Sequence, residues 1–182
     1  MTIIAAYEGK ESYWIASDSM SCDGYTLSEY SSKLIKKNNY YIDYSGSYRV
    51  ADLIKESKEL PKTIKSIKDL RKFRDILQQQ MVEKTGARKE ASDNETISHP
   101  IYLILITKFG IFEIHPEYQL MKTIQGFTAT GSGWQVALGS LFNSRQNKQE
   151  GKKAVTIAVK ASIIHTPHCG GKVYTASISK GK

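Results

Sequence analysis

Apolar positions in the first sixty residues fall in short runs of β-forming residues separated by polar turn segments. Thr2-Ile-Ile-Ala-Ala-Tyr7 and Ser12-Tyr-Trp-Ile-Ala-Ser17 flank Glu8-Gly9-Lys10, which predicts a hairpin with β-formers on both arms. Asp18 to Glu29 is polar and reads as a loop that turns at Gly24. A second hairpin follows, Ser32–Lys36 and Tyr40–Tyr44 around Lys37-Asn38-Asn39. Ser45-Gly46-Ser47 breaks it, and a helix is expected from there to Leu60, stopped by Pro61.

The rhythm then changes. Ile64, Ile67, Leu70, Phe73, Ile76, Leu77 and Met81 recur at spacings of three and four, predicting an amphipathic helix over Lys62–Lys84. Gly86–His99 is polar and reads as a connection. Ile101–Thr107 and Ile111–His115 flank Lys108-Phe109-Gly110 as a third hairpin, whose first arm is apolar on both faces and so belongs mid-sheet. Phe127–Thr130 reads as a strand running into Gly131-Ser-Gly133. Helices are expected over Trp134–Phe142 and Lys152–Ile164, then a turn at His165–Gly171 and a last strand over Lys172–Ser179. Strands come in runs and helices in pairs, which argues for an α+β layered sandwich: antiparallel sheets with helices on their outer faces.

With 182 residues the chain is expected to form one domain, 1–182. A hydrophobic fraction of 40% beside 24% charged residues excludes wholesale disorder. The longest apolar run, Ile101–Ile106, is too short for a membrane span, and no secretory signal opens the chain. A cytoplasmic location with reduced thiols at Cys22 and Cys169 is the expectation.

The net charge of +8 raises the question of nucleic acid. Lys55–Glu90 carries eleven Lys/Arg but also six acids, the composition of a solvated helix face, and no nucleic-acid-binding motif accompanies it. Nucleic acid is not expected as a partner. His165, His168 and Cys169 share one tight turn but lack the second ligand pair of a zinc site, so no metal or other cofactor is expected. Trp14 and Trp134 are expected as core or subunit-interface aromatics.

The chemically suggestive position is the start. Thr2 follows Met1, and a small second residue permits removal of that methionine. The new terminus would carry a nucleophilic hydroxyl and its own α-amine, a base whose ordinary pKa is near 8. Such a site also needs a cation, a carboxylate to orient it and backbone donors for an oxyanion.

Thr2-Ile-Ile-Ala-Ala-Tyr7, Ile15-Ala-Ser-Asp18, Ser32-Lys33-Leu34-Ile35, Tyr44-Ser-Gly-Ser47 and Thr128-Ala-Thr-Gly-Ser-Gly133 occur in the order found in one family. In them the chain resembles the proteasome-β-type N-terminal-nucleophile hydrolases, the bacterial HslV peptidases in particular. Cys169-Gly170-Gly171-Lys172-Val173 is similar to that family's closing Ser-Gly-Gly turn.

The resemblance implies a four-layer α-β-β-α sandwich assembled into rings, and a threonine-type endopeptidase acting on polypeptides. An ATPase unfoldase would be its partner for folded substrates. It assigns Thr2 as nucleophile, Asp18 and Lys33 as the ion pair behind it, Gly46 as oxyanion donor and Ser132 as a partner of the amine or a relay water. Thr166 and Cys169 occupy the possible supporting turn, and the substrate's first pocket is expected around Ser47 to Val50. A second alignment of the first strand puts Met1 at the nucleophile position. A retained Met1 would cap Thr2 in an amide, and the alternative role is then a catalytically inactive homologue serving as a scaffold. A third possibility is an N-terminal-nucleophile amidohydrolase for small amides.

Overall fold

The computed structural model describes residues 2–22, 27–29, 32–46, 48–85 and 101–181. It is α+β. The chain runs β1 (Ile3–Glu8), β2 (Ser12–Asp18), β3 (Met20–Cys22), β4 (Leu27–Glu29), β5 (Ile35–Lys36), β6 (Tyr41–Gly46), α1 (Tyr48–Glu56) and α2 (Ile67–Thr85). It continues β7 (Ile101–Thr107), β8 (Gly110–Ile114), β9 (Leu120–Lys122), β10 (Phe127–Gly131), α3 (Trp134–Gln146), α4 (Gly151–His165) and β11 (Val173–Ser179). Four strands form one sheet in the order β10-β1-β2-β11, five form a second in the order β5-β6-β7-β8-β9, and β3-β4 is a small pair. These neighbouring strands pair antiparallel.

Strand alternation distributes the apolar side chains among three clusters. From β1, Ile3, Ala5 and Tyr7 join Ala154, Val155, Ala158 and Val159 of α4, while Ile4 and Ala6 point the other way. There they meet Ile15 of β2, Ile104 and Ile106 of β7 and Ile111 of β8, so this cluster draws on both sheets. The alternate residues of β7, Leu103 and Leu105, pack instead with Val50 and Ile54 of α1 and Leu70, Phe73 and Leu77 of α2. Both β1 and β7 are apolar on two faces because each face meets a different cluster.

Boundaries differ from the sequence reading for local reasons. α1 ends at Glu56 rather than Leu60, because the Ser57 hydroxyl accepts the N–H groups of Glu59 and Leu60 and draws them off the helical ladder. α2 begins at Ile67, not Lys62. Ser66 and Asp69 cap it reciprocally: Asp69 N–H donates to Ser66 Oγ, and Ser66 N–H to Asp69 Oδ2. Ile64 is buried but not helical, its backbone held on both sides by the Asn39 amide. The polar Asp18–Glu29 stretch contains β3 and β4, and β9 is a further strand without a strong apolar pattern. The expected connection Gly86–His99 lies outside the described residues.

Candidate active site

Thr2 immediately precedes β1, the strand paired on both edges. Ile3 stands opposite Gly131 of β10, Ile4 opposite Ser17 of β2, and Ser132 N–H donates to the Thr2 carbonyl at 2.7 Å. Gly131 is required here: its φ is +97°, and a Cβ would run into the Thr2 carbonyl. The backbone of Thr2 is therefore fixed before its side chain makes any contact.

The side chain meets an ion pair. Thr2 Oγ1 donates to Asp18 Oδ1 at 2.6 Å, and Lys33 Nζ contacts both that carboxylate oxygen, at 2.6 Å, and Thr2 Oγ1. Lys33 also donates to the Met20 carbonyl at 2.8 Å. Asp18 is completed by the N–H groups of Ile3 and Gly170, at 3.2 and 3.0 Å. Thr2 and Lys33 are each 6% exposed and Asp18 is fully buried. A hydroxyl gripped by a cation and a carboxylate out of water is a polarised hydroxyl.

Thr2 also lines a cleft of about 780 Å³ formed by residues of both sheets. Ser45 and Gly46 come from the end of β6, Tyr102 from β7, Glu113 from β8, and the segment from Ala129 to Ser132 from the end of β10. His115 and Trp134 complete it. His115 lies 3.2 Å from the Glu113 carboxylate and edge-on to Tyr102, ring centroids 5.4 Å apart.

The sequence-selected residues thus fall into two groups. Thr2, Asp18 and Lys33 touch one another, while Gly46 and Ser132 line the cleft beside them. Ser132 contacts Thr2 through its backbone N–H. It does not cap α3, whose N-cap is Gly133 without a side-chain bond. Thr166 is the C-cap of α4, bonded through its N–H to the Ser162 carbonyl. Cys169 is buried, and burial, reinforced by Asp18, pushes its thiol up to about 11, too high for a thiolate nucleophile at neutral pH.

Of the segment expected to form the substrate's first pocket, Val50 is fully buried among core residues and Ser47 lies outside the described residues; the cleft beside Thr2 is walled by Tyr102, Glu113, His115 and Trp134. Glu113 and His115 are two apart on one strand arm, a spacing that puts them on one face, whereas nothing in the sequence links either of them to Tyr102 or Trp134. Trp134 is 45% exposed in that wall; Trp14 packs partly buried against the α3–α4 side. His165 and His168 are both exposed, and among the described residues no group of three or more His, Cys, Asp or Glu side chains forms a metal-binding set.

A hydroxyl, a lysine and a carboxylate thus meet at the start of an inner strand of the four-stranded sheet. Comparison with solved structures places the fold beside HslV. Thiobacillus denitrificans BPH superposes with a TM-score of 0.82 at 18% identity over 98% of both chains. BPH in complex with epoxomicin gives 0.81 at 17% identity over 99% of this chain and 100% of that one. Eukaryotic HslV from Trypanosoma brucei gives 0.72 at 16% identity over 97% and 99%. No protein-family model and no curated protein sequence matches the chain.

Proposed function

We propose that the chain, as one 1–182 domain in a four-layer α-β-β-α sandwich, is a threonine-type endopeptidase that forms the proteolytic ring of an HslV- or proteasome-like particle. The observation that carries this reading is the Thr2 hydroxyl held at once by Asp18 and Lys33 at the edge of a cleft large enough for peptide side chains. The fold similarity supports it, as does the structure of BPH in complex with epoxomicin.

In the proposed reaction the free Thr2 amine takes the hydroxyl proton, directly or through one water, as Oγ1 bonds to the peptide carbonyl carbon. Lys33 stabilises the oxygen as it loses that proton, and Asp18 keeps Lys33 aimed. Gly46 is the proposed backbone donor to the oxyanion, and Ser132 lies within the same wall. When the tetrahedral centre collapses, the C–N bond breaks and the leaving nitrogen receives the proton from the amine. Water then hydrolyses the ester on Thr2 and regenerates the hydroxyl. Thr166 and Cys169 belong to the supporting turn through Gly170, which donates to Asp18. No step calls on a metal or cofactor. Assembly into rings in the cytoplasm, with an ATPase unfoldase delivering folded polypeptides, completes the proposal. No helix among the described residues is long and apolar enough to cross a membrane.

The test begins with the intact mass of the untagged protein, which reads removal of Met1 directly. Protein that has lost Met1 is expected to cleave unstructured peptides and to gain one adduct on Thr2 from a peptide epoxyketone. Thr2→Ala and Lys33→Ala should abolish both. Quantitative retention of Met1, with no adduct and stable rings, would replace the peptidase by the scaffold. Turnover of small amides but not peptides would replace it by an amidohydrolase.

A further inference from the structure

Asp43 is a buried acid that the proposed reaction leaves unused. It sits in β6 opposite Ile104 of β7 and is fully buried. Ile42 and Tyr44 enter the cluster with α1 and α2, so alternation turns Asp43 to the face of Tyr41, toward the cluster drawn from both sheets. On β2, Ser17 shares the face of Ile15 and therefore points into the same layer, one residue before Asp18. Tyr44 N–H donates to Asp43 Oδ1 at 2.7 Å, whereas Oδ2 and the Ser17 hydroxyl are both buried without a hydrogen bond of ordinary geometry.

The charges that act on this carboxyl are Lys33 and Asp18 themselves. The same face carries further titratable groups: Tyr13 on β2, Tyr41 on β6 and, by alternation with the aliphatic residues of their strands, Glu8 on β1, Tyr102 on β7, Glu113 on β8 and Tyr174 on β11. An apolar residue would fill the position without any desolvation cost. The carboxyl instead stands in the field of the pair that grips the Thr2 hydroxyl.

We propose that Asp43 is a positioning residue for the Thr2 site, a buried carboxyl whose charge state sets the potential at the Thr2 hydroxyl. When neutral it leaves the Lys33 charge free to favour loss of the hydroxyl proton. When ionised it offsets that charge and opposes the loss. Burial pushes its titration up to about 6, Ser17, the Tyr44 N–H and Lys33 pull it back, and Asp18 pushes it further, so both forms exist near neutral pH. The proposal rests on Thr2 being the nucleophile.

The test follows labelling of Thr2 by a peptide epoxyketone from pH 5 to 8.5 in full-length protein lacking Met1, with and without Asp43→Asn. Asparagine keeps the shape and the acceptor for Tyr44. The ratio of variant to unmodified rate is expected to rise through about pH 6 to a several-fold plateau. A purely structural disturbance would scale the rate equally at every pH, and a pH-independent ratio overturns the proposal. A second arm needs no reactivity: carbon-13 NMR of the Asp43 carboxyl, whose midpoint should rise in Lys33→Met and fall in Asp18→Asn. A midpoint unmoved by either substitution, while the unmodified protein is still labelled on Thr2, overturns the proposal alone. Absence of labelling at every pH overturns the nucleophile reading beneath it.

Discussion

Replacing Lys33 with methionine tests how the site is held together. The Lys33–Asp18 pair is 2.6 Å long, with side chains 5% and 0% exposed, so neither charge is solvated by bulk water. Methionine keeps an apolar stem of similar length and deletes the cation. Asp18 is then left with three neutral donors, the Thr2 hydroxyl and the N–H groups of Ile3 and Gly170. Removing one member of a buried pair costs about 3–5 kcal/mol. The three remaining donors offset part of that, which places the expected loss at about 3 kcal/mol. On an Asp18→Asn background the orphaned charge is Lys33 itself, so the same substitution removes it and should be neutral or stabilising, a coupling of about 3 kcal/mol or more. Urea unfolding of the four proteins at one concentration and pH 7.5 measures this directly. If Lys33→Met costs under about 1 kcal/mol, or the same in both backgrounds, the pair is no stronger than a surface pair. The picture of a Thr2 hydroxyl held in a water-excluded ionic pocket would then be wrong.

Two glycines should respond oppositely to alanine. Gly131→Ala places a Cβ against the Thr2 carbonyl at a φ of +97° and is expected to lose about 2 kcal/mol or more together with Thr2 labelling. Gly139→Ala, inside α3 with open space around it, should gain about 0.5–1 kcal/mol in the same unfolding assay. Asp43 makes a pH prediction. Its carboxyl moves from 3.8 to about 6 on folding, so the native state binds the proton more tightly. The stability this contributes is full below the unfolded value and is lost as pH rises through about 6, about 3 kcal/mol in all. Asp43→Asn lacks the loss, so relative to unmodified protein it should gain about 2–3 kcal/mol between pH 4 and 7.5; a constant difference in urea midpoints across that range would refute it.

How much of this was legible in the chain depends on where each signal lives. β1, β2, β7 and β8 were visible because a strand with an apolar cluster on each face spells a continuous apolar run. The end of α1 and the start of α2 were not, because the deciding bonds are made by single polar side chains, Ser57 at the first and Ser66 and Asp69 at the second, at positions where periodicity has no vote. Ile64 shows the error cleanly: it is buried at helical spacing from Ile67, yet Asn39, distant in sequence, determines its backbone. The site divides likewise. Thr2, Asp18 and Lys33 came from ordered short motifs carried by the family resemblance, and they touch. In the cleft wall only Glu113 and His115 are linked by strand spacing; tertiary packing brings Tyr102 and Trp134 to them, and Asp43 reads in the sequence as an ordinary polar residue of a strand.

The energetics of Asp18 and Lys33 bear on the choice between peptidase and scaffold. β1 is already paired on both edges and packed on both faces, so Thr2 has a fixed backbone without help from any charged group. Stability alone gives no reason to bury an ion pair there, since a well-packed apolar pair of similar volume is commonly as stable or more so. A protein that served only as a ring segment could fill these positions with leucine or methionine and lose nothing in assembly. What the ion pair supplies, and packing cannot, is a field on one hydroxyl. That field is useful only if the hydroxyl reacts, and this is why the arrangement favours the peptidase. It also makes the argument vulnerable at one point: if Lys33→Met with Asp18→Leu proved more stable than the unmodified protein and kept every peptide cleavage, the pair would be neither structural nor catalytic, and the proposed mechanism would have to be abandoned.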